Sequence, residues 1–400
     1  MDSLTQIVLG AAVGELVLGK KIGNRAMVWG AVGGTIPDLD VLGKFFLTNI
    51  DNLAFHRGFS HSILFSLLGA WVFGKLVYVI YKSPHHKWIA LILRFLATIL
   101  IGFSIHFVLN ISAPKPLIPM LFAGAILAYV LYRTTYKKYF TGLWESPKAS
   151  EKEWQWLFFW SLLTHPILDC FTMYGTQLFS PFTNTRVAWS TISVADPLYT
   201  MPFMVCLLIA ATYKKETNLR RKWNQLGILV SSLYLGATVM NKINIDAVYR
   251  EALSAQEIEV KRFVTNPTIL SNVLWSCVAE TDTSFYLSQY SLFDQSQIVF
   301  TEVAKNHDLL KNKQNDETLK TLAWFSDNYY NVIPQENSLQ MNDLRFGAFF
   351  NEENAIDAYI FRFELLEGKN GYEMQEAEGG PPKEKQAGMF SALWNRIKGV

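Results

Sequence analysis

Six segments of this 400-residue chain are apolar over nearly the length that a bilayer crossing demands: 62–81, 89–110, 117–132, 154–172, 197–213 and 224–240. A spanning α-helix needs roughly 20 predominantly apolar residues. Within lipid, only helices and closed barrels satisfy their own backbone polar groups. Two shorter segments, 4–19 and 26–36, carry Gly10, Gly14, Gly30, Gly33 and Gly34, and small residues let helices approach closely inside a bundle. These runs predict an α-helical polytopic membrane domain of about 6–8 helices over residues 1–240. The opening "MDSLTQIVLG" has Asp2 where a signal peptide carries Lys or Arg, so it reads as a retained first membrane helix.

The chain is 18% charged, against roughly 25% for soluble domains, and the deficit falls before residue 240. Residues 241–367 read as a small α+β extramembrane domain. In it, 247–264 is a helix or a long strand, 272–300 a hairpin or meander, 301–326 helical, and "RFGAFF" and "AIDAYIFRFELL" further strands. Residues 368–400 read as a flexible linker and a short amphipathic helix with Phe390, Leu393, Trp394 and Ile397 at helical spacing. That helix suits either a membrane surface or docking on the domain. A net charge of +2 gives no case for nucleic acid. Cys170, Cys206 and Cys277 make neither a disulfide framework nor a thiolate zinc site.

Basic residues mark alternate loops: Lys20, Lys21 and Arg25; Lys82 and Lys87; Arg133, Lys137 and Lys138; Lys214, Lys215, Arg220, Arg221 and Lys222. Cytoplasmic loops carry this excess. The intervening loops 37–61, 111–116 and 173–196 then face outward, with the C-terminal domain. Those loops and the helix ends beside them hold Asp2, Asp38, Asp40, His56, His61, His165, Asp169 and Asp196. Ionisable groups near a bilayer are costly and mark function by default.

Each motif has a bland reading beside the chemical one. "TIPDLD" (35–40) is a Pro-Asp turn or a carboxylate pair. "HRGFSH" (56–61) is a polar helix start or two imidazole ligands. In "LLTHPILDC" (162–170), His165 and Asp169 stand one helical turn apart and project the same way. They are a pair bonded inside a bundle or two ligands of one ion. Asp196 is an N-cap or a catalytic carboxylate. Arg57 and Arg186, the arginines of the outward face before residue 240, suit a phosphate oxygen or an ordinary ion pair. Taken together, hard carboxylates and imidazoles without thiolate point to one or two divalent ions, zinc first, with manganese or iron as alternatives. His106, near the outward end of segment 89–110, is a weaker candidate.

The motifs "MDSLTQ", "PDLD", "HRGFSHS", "LTHPILDCFTMYGTQLF" and "DPLY" resemble the YdjM-like family of bacterial inner-membrane metal-dependent hydrolases, over roughly residues 1–240 and in the family's order. That family is regarded as distantly similar to zinc phospholipase C, whose relatives hold zinc with a His-x-x-x-Asp helix pair. The resemblance implies that His165 and Asp169 are ligands and that His56, His61, Asp38 and Asp40 join them. Members begin Met-Asp-x-x-Thr-His; Gln6 stands in the histidine's place here, so the site has lost one ligand or uses Asp2 instead.

The expectation is therefore a multi-pass bacterial inner-membrane hydrolase with a periplasmic site and C-terminal domain. Six residues (Asp38, Asp40, His56, His61, His165, Asp169) would hold metal, with Arg57 and Asp196 catalytic, acting on a phosphoester of a lipid or lipid-linked substrate. One alternative is a metal-stabilised membrane scaffold that recruits an envelope protein through residues 241–367. A transporter would need ionisable groups at the bilayer midplane, for which Glu15, Arg94 and His106 are the candidates.

Overall fold

The computed structural model describes residues 1–92, 95–96, 124–125, 129, 146–313, 315–350, 356–368, 371–376 and 383–399. Most of the apolar segments 117–132 and 89–110, with Arg94 and His106, therefore lies outside the described residues. Two compact units emerge: one of Met1–Gly69 with Leu157–Val400, the other of Ala70–Trp156. In the second unit the Tyr81 ring stacks on Trp154 at 5.6 Å.

The N-terminal part is helical: α1 (Ser3–Ile22), α2 (Asn24–Thr35), α3 (Asn49–Phe55), α4 (Ile63–Lys82), α5 (Glu151–Cys170), α6 (Pro197–Thr212) and α7 (Asn218–Ala255). Short 3-10 segments, Pro37–Phe45 and Phe59–His61, flank α3. Among the described residues, α1, α4 and α7 are long and apolar enough to cross a membrane, and α6 is a shorter apolar helix. Helices α1 and α2 lie backbone to backbone. A Cβ on Gly14 would strike the Ala26 carbonyl, and one on Gly30 the Gly10 carbonyl, so glycine is what permits the contact. Val8, Ala12, Met27, Leu168, Tyr199, Phe203 and Leu207 form the buried core shared by α1, α2, α5 and α6.

At one end of this bundle Glu15 of α1 meets Arg220 of α7. The guanidinium donates to both carboxylate oxygens, at 2.6 and 2.5 Å, and also to Asn24 Oδ1 and the Tyr213 carbonyl. Both side chains are buried. Glu15 is thus held in a buried ion pair.

Helix α7 has 38 residues, about 57 Å of helix at 1.5 Å per residue. It runs past residue 240 and carries the chain directly into the C-terminal domain. There Ile245, Tyr249 and Leu253 pack on Trp275, Cys277 and Ala279. The expectation for 247–264 resolves into both alternatives in turn: helix to Ala255, then strand from Arg262.

The C-terminal domain has two four-stranded antiparallel sheets. The first is β1 (Arg262–Pro267), β2 (Leu274–Glu280), β3 (Ser284–Ser291) and β4 (Thr301–Ala304), in sequential order. The second contains β5 (Tyr330–Pro334), β6 (Leu339–Asp343), β9 (Arg362–Gly368) and β10 (Gly371–Glu376), in the order β10-β9-β6-β5; β7 (Ala348–Phe350) and β8 (Ile356–Tyr359) pair separately. In β2, Cys277 and Ala279 face α7, while Val278 joins Phe285, Leu287, Tyr329 and Leu344 on the opposite face. A strand buried on both faces reads as a continuous apolar run, and "LWSCVAE" does.

The helical expectation for 301–326 is corrected. Residues 301–304 add to β3 as a fourth strand, Phe285 opposite Val303. The remainder is a 3-10 segment (His307–Lys313) and α8 (Glu317–Phe325), capped by Asp316. Alternation in Thr-Glu-Val-Ala matches a strand period, and pairing with a neighbour outweighs local preference. A last helix, α9 (Lys383–Ile397), docks on the first sheet: Arg396 donates to both Asp294 oxygens at 2.7 Å, and Ser291 Oγ donates to the Ile397 carbonyl.

Candidate metal centre

Four side chains from three stretches of chain converge: Asp38, His61, His165 and Asp169, with one ligand atom of each lying within 4.8 Å of the others. Local structure delivers each. Pro37 starts the 3-10 segment as α2 ends, placing Asp38 and Asp40 in its first turn. His61 closes the short 3-10 segment before α4. His165 and Asp169 project from one face of α5. Pro166 sits between them. It lacks an N–H, which frees a backbone acceptor in the preceding turn.

Five of the six donor separations fall between 3.1 and 3.5 Å, and that of Asp38 and Asp169 is within 4.8 Å. His61 Nε2 lies 3.1 Å from His165 Nε2 and 3.4 Å from Asp38 Oδ1. His165 Nε2 is 3.4 Å from Asp38 Oδ1 and 3.3 Å from Asp169 Oδ2. His61 Nε2 is 3.5 Å from Asp169 Oδ2. A tetrahedral ion with bonds of about 2.0–2.1 Å separates its ligands by about 3.3 Å. The residues present therefore fit a tetrahedral divalent ion.

The hydrogen bonds around the cluster agree with this. His165 Nδ1 lies 2.6 Å from the Gly34 carbonyl, one of the α2 carbonyls with no partner inside the helix. A carbonyl only accepts, so Nδ1 carries a proton and Nε2 is the nitrogen turned to the cluster, free to ligate a cation that displaces any proton it holds. His61 Nδ1 is held between Asp40 Oδ2 (3.3 Å) and Ser60 Oγ (3.0 Å), with the same consequence. Asp169 Oδ1 accepts from the Met1 ammonium and from Gln6 Nε2 (2.9 Å). Its Oδ2 is buried without a hydrogen-bond partner. Two imidazole Nε2 atoms and two carboxylate oxygens thus face one point, and a cation satisfies all four together.

Asp40 does not face that point. It accepts from the Arg57 backbone N–H (2.8 Å), Ser60 Oγ (3.1 Å) and His56 Nδ1 (2.9 Å) while bracing His61. Burial alone would raise the Asp38 and Asp40 carboxyls. The imidazoles of His165 and His61 for Asp38, and of His56 and His61 for Asp40, outweigh it and hold both well below the ordinary carboxylate range. Each therefore contributes stability that is fully present above about pH 4 and is lost as pH falls through the lowered value. Supporting partners of this kind are worth roughly 10–100-fold in metal affinity. Asp40→Asn is accordingly expected to weaken metal binding about tenfold or more while leaving a saturable site, as read by competition with a metal indicator.

Of the remaining expected residues, His56 bonds Asp40 and sets its ring edge-to-face against Tyr174 at 5.3 Å. Arg57 takes a positive φ of 56°, a conformation that L-residues pay for. Its surroundings impose that geometry: its N–H bonds Asp40, its carbonyl accepts from Gln177, and Nη1 donates to Thr172. Its Nε stands 3.5 Å from Asp169 Oδ2. Asp196 is not brought to the cluster. It caps α6 through the Leu198 and Tyr199 amides and accepts from Tyr234. Asp2 caps α1 through Thr5, so Gln6, not Asp2, is the N-terminal side chain that reaches Asp169.

The C-terminal domain supports this site. Leu53 of α3 lies in the second sheet's core with Leu319, Leu322, Phe325, Val332 and Phe363, and Tyr174 packs against the same cluster. The helix leading to His56 and the loop leading from Asp169 are thereby fixed by residues about 270 and 150 positions further along the chain. Tyr174 was not foreseen; the aromatic character of its loop was the one signal available.

No curated protein and no solved structure matches this chain. The family model described as YdjM inner membrane protein matches residues 1–115 and 117–245. That span contains all four converging side chains, together with Asp40, Arg57 and Gln6. With more than half of its length matched, the chain belongs to the YdjM inner membrane protein family.

Proposed function

We propose that this protein is a multi-pass inner-membrane hydrolase dependent on one divalent ion, zinc by the tetrahedral fit. In this reading its site and C-terminal domain face the periplasm, and it cleaves a phosphoester of a lipid or lipid-linked substrate. The observation that carries the reading is the set of donor separations, 3.1–3.5 Å, among Asp38, His61, His165 and Asp169. A bound divalent ion there supplies a Lewis acid and an activated water. The chain does the rest. Asp40 and Gly34 hold the two imidazoles in the ligating tautomer. Arg57, held beside Asp169, meets the negative phosphoryl oxygens. Asp38, whose side chain is 20% exposed while the other three donors are fully buried, marks the edge from which substrate enters.

A second reading has one observation in its favour. Four protein donors complete a tetrahedral shell, as structural zinc sites do, whereas catalytic sites keep a position open. The protein is then a metal-stabilised scaffold, and its C-terminal domain recruits an envelope partner. Purified protein in mixed micelles with phosphomonoester and phosphodiester lipids separates the two. Hydrolysis that requires the metal, and that falls at least about 100-fold in Asp38→Asn, supports the enzyme. Stoichiometric metal with no turnover of either lipid class contradicts it.

A further inference from the structure

The described arginines that are buried as whole residues each face a carboxylate: Arg57 faces Asp169, Arg220 faces Glu15 and Arg345 faces Asp343. Arg186 differs. Its Nε, Nη1 and Nη2 are all buried, and none has a hydrogen-bond partner. Its guanidinium carbon lies 4.3 Å from the Tyr174 ring centre, 4.8 Å from Phe325 and 5.4 Å from Trp324. Cation–π attraction offsets part of the desolvation of a charge so placed, but it satisfies none of the five N–H donors. Burial lowers this guanidinium to about 10 against the raising effect of the Tyr174 hydroxyl, with Arg345 and Arg57 adding to the lowering, so it remains a cation at neutral pH.

Its position is built, not incidental. Thr176 and Val187 bridge the loop, and Trp324 Nε1 donates to the Asn184 carbonyl at 3.2 Å, fixing the turn that presents Arg186. The same Tyr174 ring takes Arg57 at 4.9 Å. Two guanidinium groups around one ring repel each other, and Arg57 touches the metal-ligand set through Asp169. An anion at the Arg186 fork offsets that repulsion and supplies the missing acceptors.

We propose that Arg186, with Arg57 across the Tyr174 ring, forms a phosphate-binding subsite beside the metal centre. A guanidinium fork matches the oxygens of a phosphoryl group in bidentate fashion. The subsite deepens the hydrolase reading, on which it rests for calling the anion a substrate group; phosphate binding itself does not depend on that reading. It makes Arg186 a specificity residue that selects phosphorylated over uncharged esters.

The test uses the full chain in detergent, both metal-loaded and chelator-treated, with inorganic phosphate as probe and chloride as control. Calorimetric titration should show saturable phosphate binding that falls about tenfold or more in Arg186→Gln, with metal content unchanged. Arg186→Lys keeps the charge and loses the fork, and should bind with intermediate affinity; it carries the test if Arg186→Gln fails to fold. Tighter binding of phosphatidic acid micelles than of free phosphate assigns the subsite to a lipid headgroup, and equal binding assigns it to free phosphate. Wild type that binds no phosphate, or variants that bind it as wild type does, would overturn the proposal and leave Arg186 a packing element. Phosphate binding that depends on Arg186 in a protein without metal-dependent turnover would instead fail the hydrolase reading and keep the subsite.

Discussion

His165→Ala leaves the purified protein with background metal, where wild type carries a stoichiometric divalent ion. This is the expected result because His165 contributes to three of the five donor separations that describe the cluster: to His61, Asp38 and Asp169. Its removal leaves three donors and an unbonded Gly34 carbonyl. Loss of one of four ligands typically takes with it several of the roughly 10–16 kcal/mol that hold a structural zinc ion. Elemental analysis after purification without chelators reads the outcome. A normal elution profile in detergent shows that the fold survives, since the surrounding core of Val8, Met27, Leu168 and Phe203 does not contain His165. Metal equal to wild type in the variant would remove His165 from the site.

The second large effect lies at Glu15. Glu15→Gln is expected to destabilise the protein by about 3–5 kcal/mol, because it strands a buried guanidinium that now has two charge-assisted bonds. The partner Arg220 is 1% exposed, so solvent does not screen the loss. The double variant Glu15→Met, Arg220→Met should recover most of it, since replacing both members of a buried pair with apolar side chains is often neutral. Thermal unfolding in detergent, followed by Trp fluorescence, measures both. A single variant as stable as wild type would show that the pair contributes nothing.

The legible parts of the site were those encoded by local spacing. His165 and Asp169 stand one turn apart on a helix, and a sequence shows that directly. Loop charge grouped 35–40, 56–61 and 162–170 as an expectation, and the structure brings Asp38, His61, His165 and Asp169 of those stretches together. Which member of each pair faces the cluster was not legible. Asp38 and Asp40 are two apart in a tight helix, so they point to different sides. One side meets His165, more than 120 residues on, and the other meets His56 and Ser60. The same holds for His56 and His61. Asp196 could be read either way, and its surroundings, two free amides and Tyr234 Oη, make it a cap.

In the fold, the β2–β3 hairpin followed from apolar alternation and the apolar run 224–240 marked part of α7, whereas the continuation of α7 to Ala255 and strand β4 did not follow. Four residues are too few for a period to compete with helix-forming neighbours, and the strand exists because β3 offers an edge. The packing of Leu53 and Tyr174 into the second sheet's core, like the Glu15–Arg220 pair, joins residues far apart in sequence. No local pattern reports such contacts, yet they tie the C-terminal domain to the site.

Metal-edge X-ray absorption on the purified wild-type protein tests the central claim most directly. The account predicts a divalent ion whose first shell holds two imidazole nitrogens and two carboxylate oxygens at about 2.0–2.1 Å, with no sulfur. A protein without bound metal, or an ion whose shell lacks imidazole, would contradict it.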